Sequence, residues 1–220
     1  MSDLDLIRQL ADRLGRPLQE LPEARFERHA QARAARDWLS QELIKRDAYA
    51  LAVDGTVSGL FLQRVTSEIF VDFLFAQLSH IKHLHLSQVN LSDYSGLAAL
   101  NRLTSLYLSD NQITDVSSLA VLNGLTTLYL SNNQITDVSG LAALNGLASL
   151  YLSNNQISDV SSLAALNGLT TLDLSNNPTI DVSGLAALNG LTSLYLSNNQ
   201  ITDVSSLAVL NGLTTLYLSN

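Results

Sequence analysis

The sequence predicts an α/β solenoid: a parallel β-sheet lines the concave side of a curved stack, and short helical turns cover the convex side. Three observations predict it. From Ile81 to Gly212 the chain is six consecutive units of 22 residues. Each unit sets leucines two apart on one short strand and more apolar residues beyond a turn. Residues two apart on a strand face the same side. A unit of this size cannot bury its own apolar face, so neighbours must stack.

The second unit, Leu103 to Gly124, reads LTSLYLSDNQITDVSSLAVLNG. Leu106 and Leu108 share the core side of its strand. Asn111 follows where the chain turns. Its amide is expected to bond backbone groups of that turn and of the next unit, which is how a buried amide is tolerated. Ile113, Val116, Leu119 and Leu122 close the core from the outer side. Asp115 precedes a short helical turn whose free N–H groups its carboxylate can cap. Asn123-Gly124 returns the chain to the next strand. The sixth unit differs from the second only in having Asn198 for Asp110, and a seventh begins at Leu213 and stops at Asn220.

The pattern L-x-x-L-x-L-x-x-N-x-I resembles the leucine-rich repeat, in the short class carried by internalins. The resemblance implies a horseshoe with a concave parallel sheet and convex 3-10 or helical turns. The array is expected to open earlier, with a degenerate unit over 57–80 (Val57, Leu60, Leu62, Val65) and a helix near Ser67–Leu78. Tyr49–Val53, Asp54-Gly55 and Thr56–Leu62 read as a hairpin with a two-residue turn. Glu23–Arg46 has helical composition, and Ser2–Leu14 reads as another helix ended by Gly15 and Pro17. Residues 1–56 are thus expected to be a helical plus β-hairpin cap that shields the first strand edge, and 57–220 the repeat array. Leu213, Leu216 and Leu218 would lie open at the far end of the stack. That end reads as a cut, with the natural protein continuing beyond it.

Composition narrows the function. The 220 residues are 46% hydrophobic and contain no Cys. That excludes global disorder, a disulfide scaffold, a thiolate metal site and a Cys nucleophile. No apolar run is long enough for a membrane helix, and the first residues lack a secretory apolar core. The net charge of −8 argues against nucleic acid as a partner. Ten of the twelve basic residues fall within 1–80, whereas 103–220 hold seven Asp and no Lys or Arg. No phosphate loop, G-x-S-x-G or H-E-x-x-H motif is present. No catalytic residue, cofactor or metal is therefore assigned.

The residues expected to matter lie on the strand face away from the core. Its central column reads Phe61, His85, Tyr107, Tyr129, Tyr151, Asp173, Tyr195, Tyr217, with His83 in the column beside it. Tyr among Ser, Thr and Asn suits a binding surface: large contact area, little rotamer entropy and adaptable hydrogen bonds. The blander reading is a ladder that stacks on itself and was copied by duplication. Units alternate between SSLA and SGLA, which points to a duplicated block of 44 residues. Specific contacts are then expected where the copies break: Lys82, His83 and His85, and again Asp173, Pro178 and Thr179. There NNQITD has become NNPTID, which a local adjustment of the turn also explains. His83 and His85 have the spacing of a metal pair but read better as surface histidines. The column from Asp93 to Asp203 fits helix capping better than calcium.

A helical cap, a degenerate first unit and near-identical 22-residue repeats look like a bacterial Roco protein. In that family leucine-rich repeats precede a Ras-like GTPase domain. The resemblance implies a cytoplasmic, non-enzymatic interaction module within a signalling GTPase. Its partner would be a protein or peptide, or the parent's own downstream domains, with no membrane involved. The alternatives are a secreted or surface adhesin of internalin type, or the targeting region of an effector enzyme.

Overall fold

In the computed structural model, the described residues form ten strands of one sheet in chain order. The structure describes residues 3–14, 18–22, 48–51, 57–63, 79–89 and 94–219. Helix α1 spans Asp3–Leu14. Its Ile7 is buried in the same apolar cluster as the repeats, while Arg8, Gln9 and Asp12 are exposed. Strands β1 (Gln19–Pro22) and β2 (Ala48–Leu51) pair in parallel, and β2 pairs antiparallel with β3 (Val57–Gln63). The parallel partner β1 is not anticipated by the sequence. The helices expected within 23–46 and 67–78 lie outside the described residues.

From β3 onward every strand pairs in parallel with the next. The series is β4 (His83–Ser87), β5 (Ser105–Tyr107), β6 (Thr127–Tyr129), β7 (Ser149–Tyr151), β8 (Thr171–Asp173), β9 (Ser193–Tyr195) and β10 (Thr215–Tyr217). The register aligns equivalent positions of successive units. Leu60, Leu84, Leu106, Leu128, Leu150, Leu172, Leu194 and Leu216 form one column. From β5 to β9 strands of three residues suffice because each is paired on both sides and its leucine is buried below. Opposite the sheet, each described unit has a five-residue 3-10 helix, from Ser95–Ala99 to Ser205–Val209. One leucine of each, such as Leu119 or Leu163, is buried. The 3-10 form fits a single tight turn, closed by bonds such as Leu119 N–H to Val116 O at 3.0 Å.

Two polar columns hold the turns. The first is the asparagine ladder. Asn133 Nδ2 donates to Leu130 O at 2.9 Å in its own unit and to Leu108 O at 3.0 Å in the preceding one. Its Oδ1 accepts the Ile113 N–H of the preceding unit at 3.0 Å. Asn111, Asn155, Asn177 and Asn199 repeat the bonds to their own and the preceding leucine carbonyls. The amide therefore reaches back, not forward as the sequence suggests. The residue before each amide adopts a left-handed conformation, with φ between 56° and 60° from Asp110 to Asn198. Asn and Asp tolerate that region best among residues with a side chain.

The second column is aspartate. Asp115 Oδ1 accepts the Ser117 N–H at 2.7 Å, and Asp137, Asp159, Asp181 and Asp203 do the same in their units. The capping expectation holds, one residue earlier than the helix's own cap position: Val116 is the cap residue and makes no side-chain bond. The backbone N–H donors, aided by the neighbouring serine hydroxyls, hold the carboxyls of Asp115, Asp159 and Asp203 below the ordinary aspartate range. Asp93 lies outside the described residues.

The alternation of SGLA and SSLA has a packing cause. A Cβ on Gly140 would lie 2.8 Å from Ser117 Cα, and one on Gly184 3.0 Å from Ser161 Cα. Backbone cannot yield as a flexible side chain does. In alternate units Ser118, Ser162 and Ser206 carry a Cβ at that place, so those interfaces must leave room for it. The 44-residue block is thus also a structural pair of units. Gly140→Ala is expected to destabilise the chain by about 1–3 kcal/mol through overpacking. A melt of that variant beside Ala142→Gly would separate the clash from any general effect of helix propensity.

Candidate concave binding surface

The sheet's outer face carries the columns expected of it. Phe61, His85, Tyr107, Tyr129, Tyr151, Asp173, Tyr195 and Tyr217 align strand by strand. His83 lies in the neighbouring column, after Gly59 and before Ser105, Thr127 and Ser149. The rings stack. Centroids are 5.4 Å apart for His85–Tyr107, 4.8 Å for Tyr107–Tyr129, 4.1 Å for Tyr129–Tyr151 and 5.2 Å for Tyr195–Tyr217. The strand spacing of about 4.8 Å brings identical rings to this separation without further design.

Accessibility is uneven along the ladder. His83 and His85 are 7% and 4% exposed, so neither is the surface histidine the sequence suggests. Tyr107 and Tyr129 are 2% and 4% exposed and form a small buried cluster with Tyr151 packed on it. Tyr151, Asp173 and Tyr195 are half-buried, and Tyr217 is 54% exposed. The accessible part of the column is therefore Tyr151 to Tyr217. The described side chains do not extend to Phe61. Among the described residues no group of three or more His, Asp or Glu side chains comes together as a metal site.

Burial raises the pKa of the Tyr94 and Tyr129 phenols. Tyr94, whose OH donates to Val89 O at 3.2 Å, is pushed up to about 12. Tyr129 is raised further, by burial first and then by Tyr151 and Tyr107 beside it. Both stay protonated in the folded chain at a pH where an unfolded tyrosine, of pKa about 10, ionises. Their contribution to stability is fully present below that value and is lost as pH rises from 10 toward 12 and beyond. Phenolate absorbance should show Tyr94 and Tyr129 ionising only together with alkaline unfolding.

The break at Pro178 and Thr179 compensates itself. In neighbouring units the Gln N–H bonds the carbonyl of the preceding unit's buried isoleucine: Gln134 to Ile113 O and Gln156 to Ile135 O, each at 2.9 Å. Pro178 occupies the glutamine position and has no N–H. Thr179, wholly buried in the isoleucine column, donates its Oγ1–H to Ile157 O at 2.9 Å instead. Ile180 is left 56% exposed. Thr179→Ile alone should cost about 1–3 kcal/mol by orphaning that carbonyl. Pro178→Gln together with Thr179→Ile should recover the loss, and denaturant melts of the parent, the two single variants and the double give the coupling. This half of the unit's divergence is structural, which leaves Asp173 as its unexplained member.

Asp173 stands where other units have tyrosine. Its Oδ1 accepts the Ser175 N–H at 2.9 Å. The exposed apolar residues lie elsewhere: Val121 and Val209 on the 3-10 helices, and Val204, Leu216 and Leu218 in the last units, with Leu216 42% and Leu218 37% exposed.

Comparison with known proteins agrees with this architecture. The family model described as Leucine Rich repeats (2 copies) matches residues 79–121, 101–143, 123–164, 145–187 and 189–220. Internalin C2 of Listeria monocytogenes superposes with a TM-score of 0.68 at 37% identity, over 76% of this chain and 82% of that one. A second Listeria monocytogenes internalin, inlF, gives 0.60 at 29% identity over 79% of this chain, which spans 59% of it. The ectodomain of the Arabidopsis thaliana receptor kinase GASSHO1/SCHENGEN3, in complex with Casparian strip integrity factor 2, gives 0.57 at 24% identity over 63% of this chain and 18% of that one, a likeness of fold alone. No curated protein sequence matches the chain.

Proposed function

Because the chain belongs to the leucine-rich-repeat family, we propose that its concave sheet recognises a peptide or protein and that it acts by binding rather than catalysis. One observation carries this reading. From Tyr151 to Tyr217 the sheet presents half-buried and exposed tyrosines flanked by Ser and Thr. Preformed, rigid and rich in adaptable hydroxyls, such a surface binds at small entropic cost. The plant ectodomain in complex with its factor gives a precedent for the fold.

Two settings for the module are supported by different observations. The helix and strands ahead of the array support the cytoplasmic Roco setting, with the repeats restraining or recruiting for an attached GTPase. The internalin neighbours, one at 37% identity, support the adhesin setting, on a surface or secreted. Motifs in the full-length gene product would discriminate them: G-K-[ST] and D-x-x-G for the first, a sorting signal for the second.

A random heptapeptide library selected on the 220-residue chain tests the binding surface. Enriched peptides should lose affinity for a Tyr151→Ala/Tyr195→Ala variant and keep it for Val121→Ala/Val209→Ala on the convex side. The reverse pattern would move recognition to the 3-10 helices.

A further inference from the structure

We propose that the break in the tyrosine ladder at Asp173 is a subsite for an arginine side chain of the bound peptide. The inference rests on the concave-binding reading and deepens it.

The register fixes the geometry. Asp173 on β8 lies between Tyr151 on β7 and Tyr195 on β9. Tyr151 stacks on Tyr129 with its other face, and Tyr195 on Tyr217. The faces that remain both look across the Asp173 strand. Two strand spacings separate those rings by roughly 10 Å. A planar group seated midway would lie about 5 Å from each ring, inside the ~6 Å reach of a cation–π contact. A tyrosine at this place would fill the slot, as it does in neighbouring units. An aspartate is shorter and leaves it open.

The charge fits the same occupant. Asp173 Oδ1 is held by the Ser175 N–H, which orients the carboxylate. Its Oδ2 has no hydrogen bond among the described residues, and no Lys or Arg occurs from 103 to 220 to neutralise it. The neighbouring positions Ser149, Thr171, Ser175 and Ser193 are hydroxyls, so nothing cationic competes with an incoming guanidinium. Arginine is favoured over lysine because its flat, weakly hydrated head stacks on a ring while its N–H groups face a carboxylate.

The heptapeptide selection described above decides the matter when repeated on Asp173→Tyr. That variant restores the residue found at Tyr129, Tyr151 and Tyr195 and should melt no lower than the parent. The expected result is a fixed arginine in peptides enriched by the parent chain and its loss with Asp173→Tyr. The best peptide should lose at least tenfold in affinity when its arginine is replaced by citrulline, which keeps the shape without the charge, and should be indifferent to that change on Asp173→Tyr. Arginine enrichment that persists on Asp173→Tyr would overturn the subsite, since it reflects only the acidic surface. Peptides that depend on Tyr151 and Tyr195 but carry no fixed arginine would overturn it while leaving concave binding intact. Enriched peptides indifferent to both tyrosines would overturn subsite and concave reading together, as would no enrichment over the bare support.

Discussion

Asn155→Leu is expected to destabilise the chain by about 2–5 kcal/mol, although the two side chains are nearly the same size. Asn155 is buried and makes three short bonds, Nδ2 to Leu130 O and to Leu152 O and Ile135 N–H to Oδ1, beside a longer one of 3.4 Å from Nδ2 to Ser153 O. The two carbonyls keep a second donor, since Asn133 also bonds Leu130 O and Asn177 also bonds Leu152 O. The Ile135 N–H keeps nothing. The cost is therefore one orphaned buried donor plus two lost bonds. It also falls on the interface between units, on which a repeat array depends for cooperativity. Urea melts followed by far-UV circular dichroism would measure it. Gln156→Ala next to it, an exposed side chain, should stay within about 0.5 kcal/mol of the parent.

The second large effect depends on position in the stack rather than on chemistry. Leu150 and Leu216 occupy the same strand column, but Leu150 is wholly buried and Leu216 is 42% exposed. Leu150→Ala should cost about 2–5 kcal/mol through lost burial and the cavity left behind. Leu216→Ala removes a side chain that already faces water and should cost under about 1 kcal/mol. Equal losses at the two sites would show that the last unit is packed in solution, through self-association for example. Repeating the melts at a tenfold higher protein concentration distinguishes the two cases.

Strand register was legible because the period is exact in length: once Leu106 and Leu128 are equivalent, so are Tyr107 and Tyr129, and the sheet follows. The turn chemistry was legible for the same reason, since Asn111 and Asp115 have few alternatives at a tight bend. Three things were not. The direction of the asparagine bonds depends on how units tilt on one another, which no single repeat encodes. Strand β1 is four residues ending in Pro22, too short to show an alternating pattern, and its partner lies beyond residue 47. The burial of His83, His85, Tyr107 and Tyr129 escaped because a column assigns a side chain to a face and says nothing of its depth. The Pro178–Thr179 pair carried a signal that could have been read: a proline where a neighbouring unit bonds through an N–H demands a substitute donor nearby.

The central claim is that recognition occurs on the concave sheet between Tyr151 and Tyr217. The chain contains no Cys, so single cysteines can report on each face without background. Alkylation rates would be compared for Ser193→Cys on strand β9 and for Ala187→Cys on the 3-10 helix Ser183–Ala187, with and without a saturating selected peptide. The account predicts at least a tenfold slowing at position 193 and no change at 187. Protection at 187 with free reaction at 193 would contradict it.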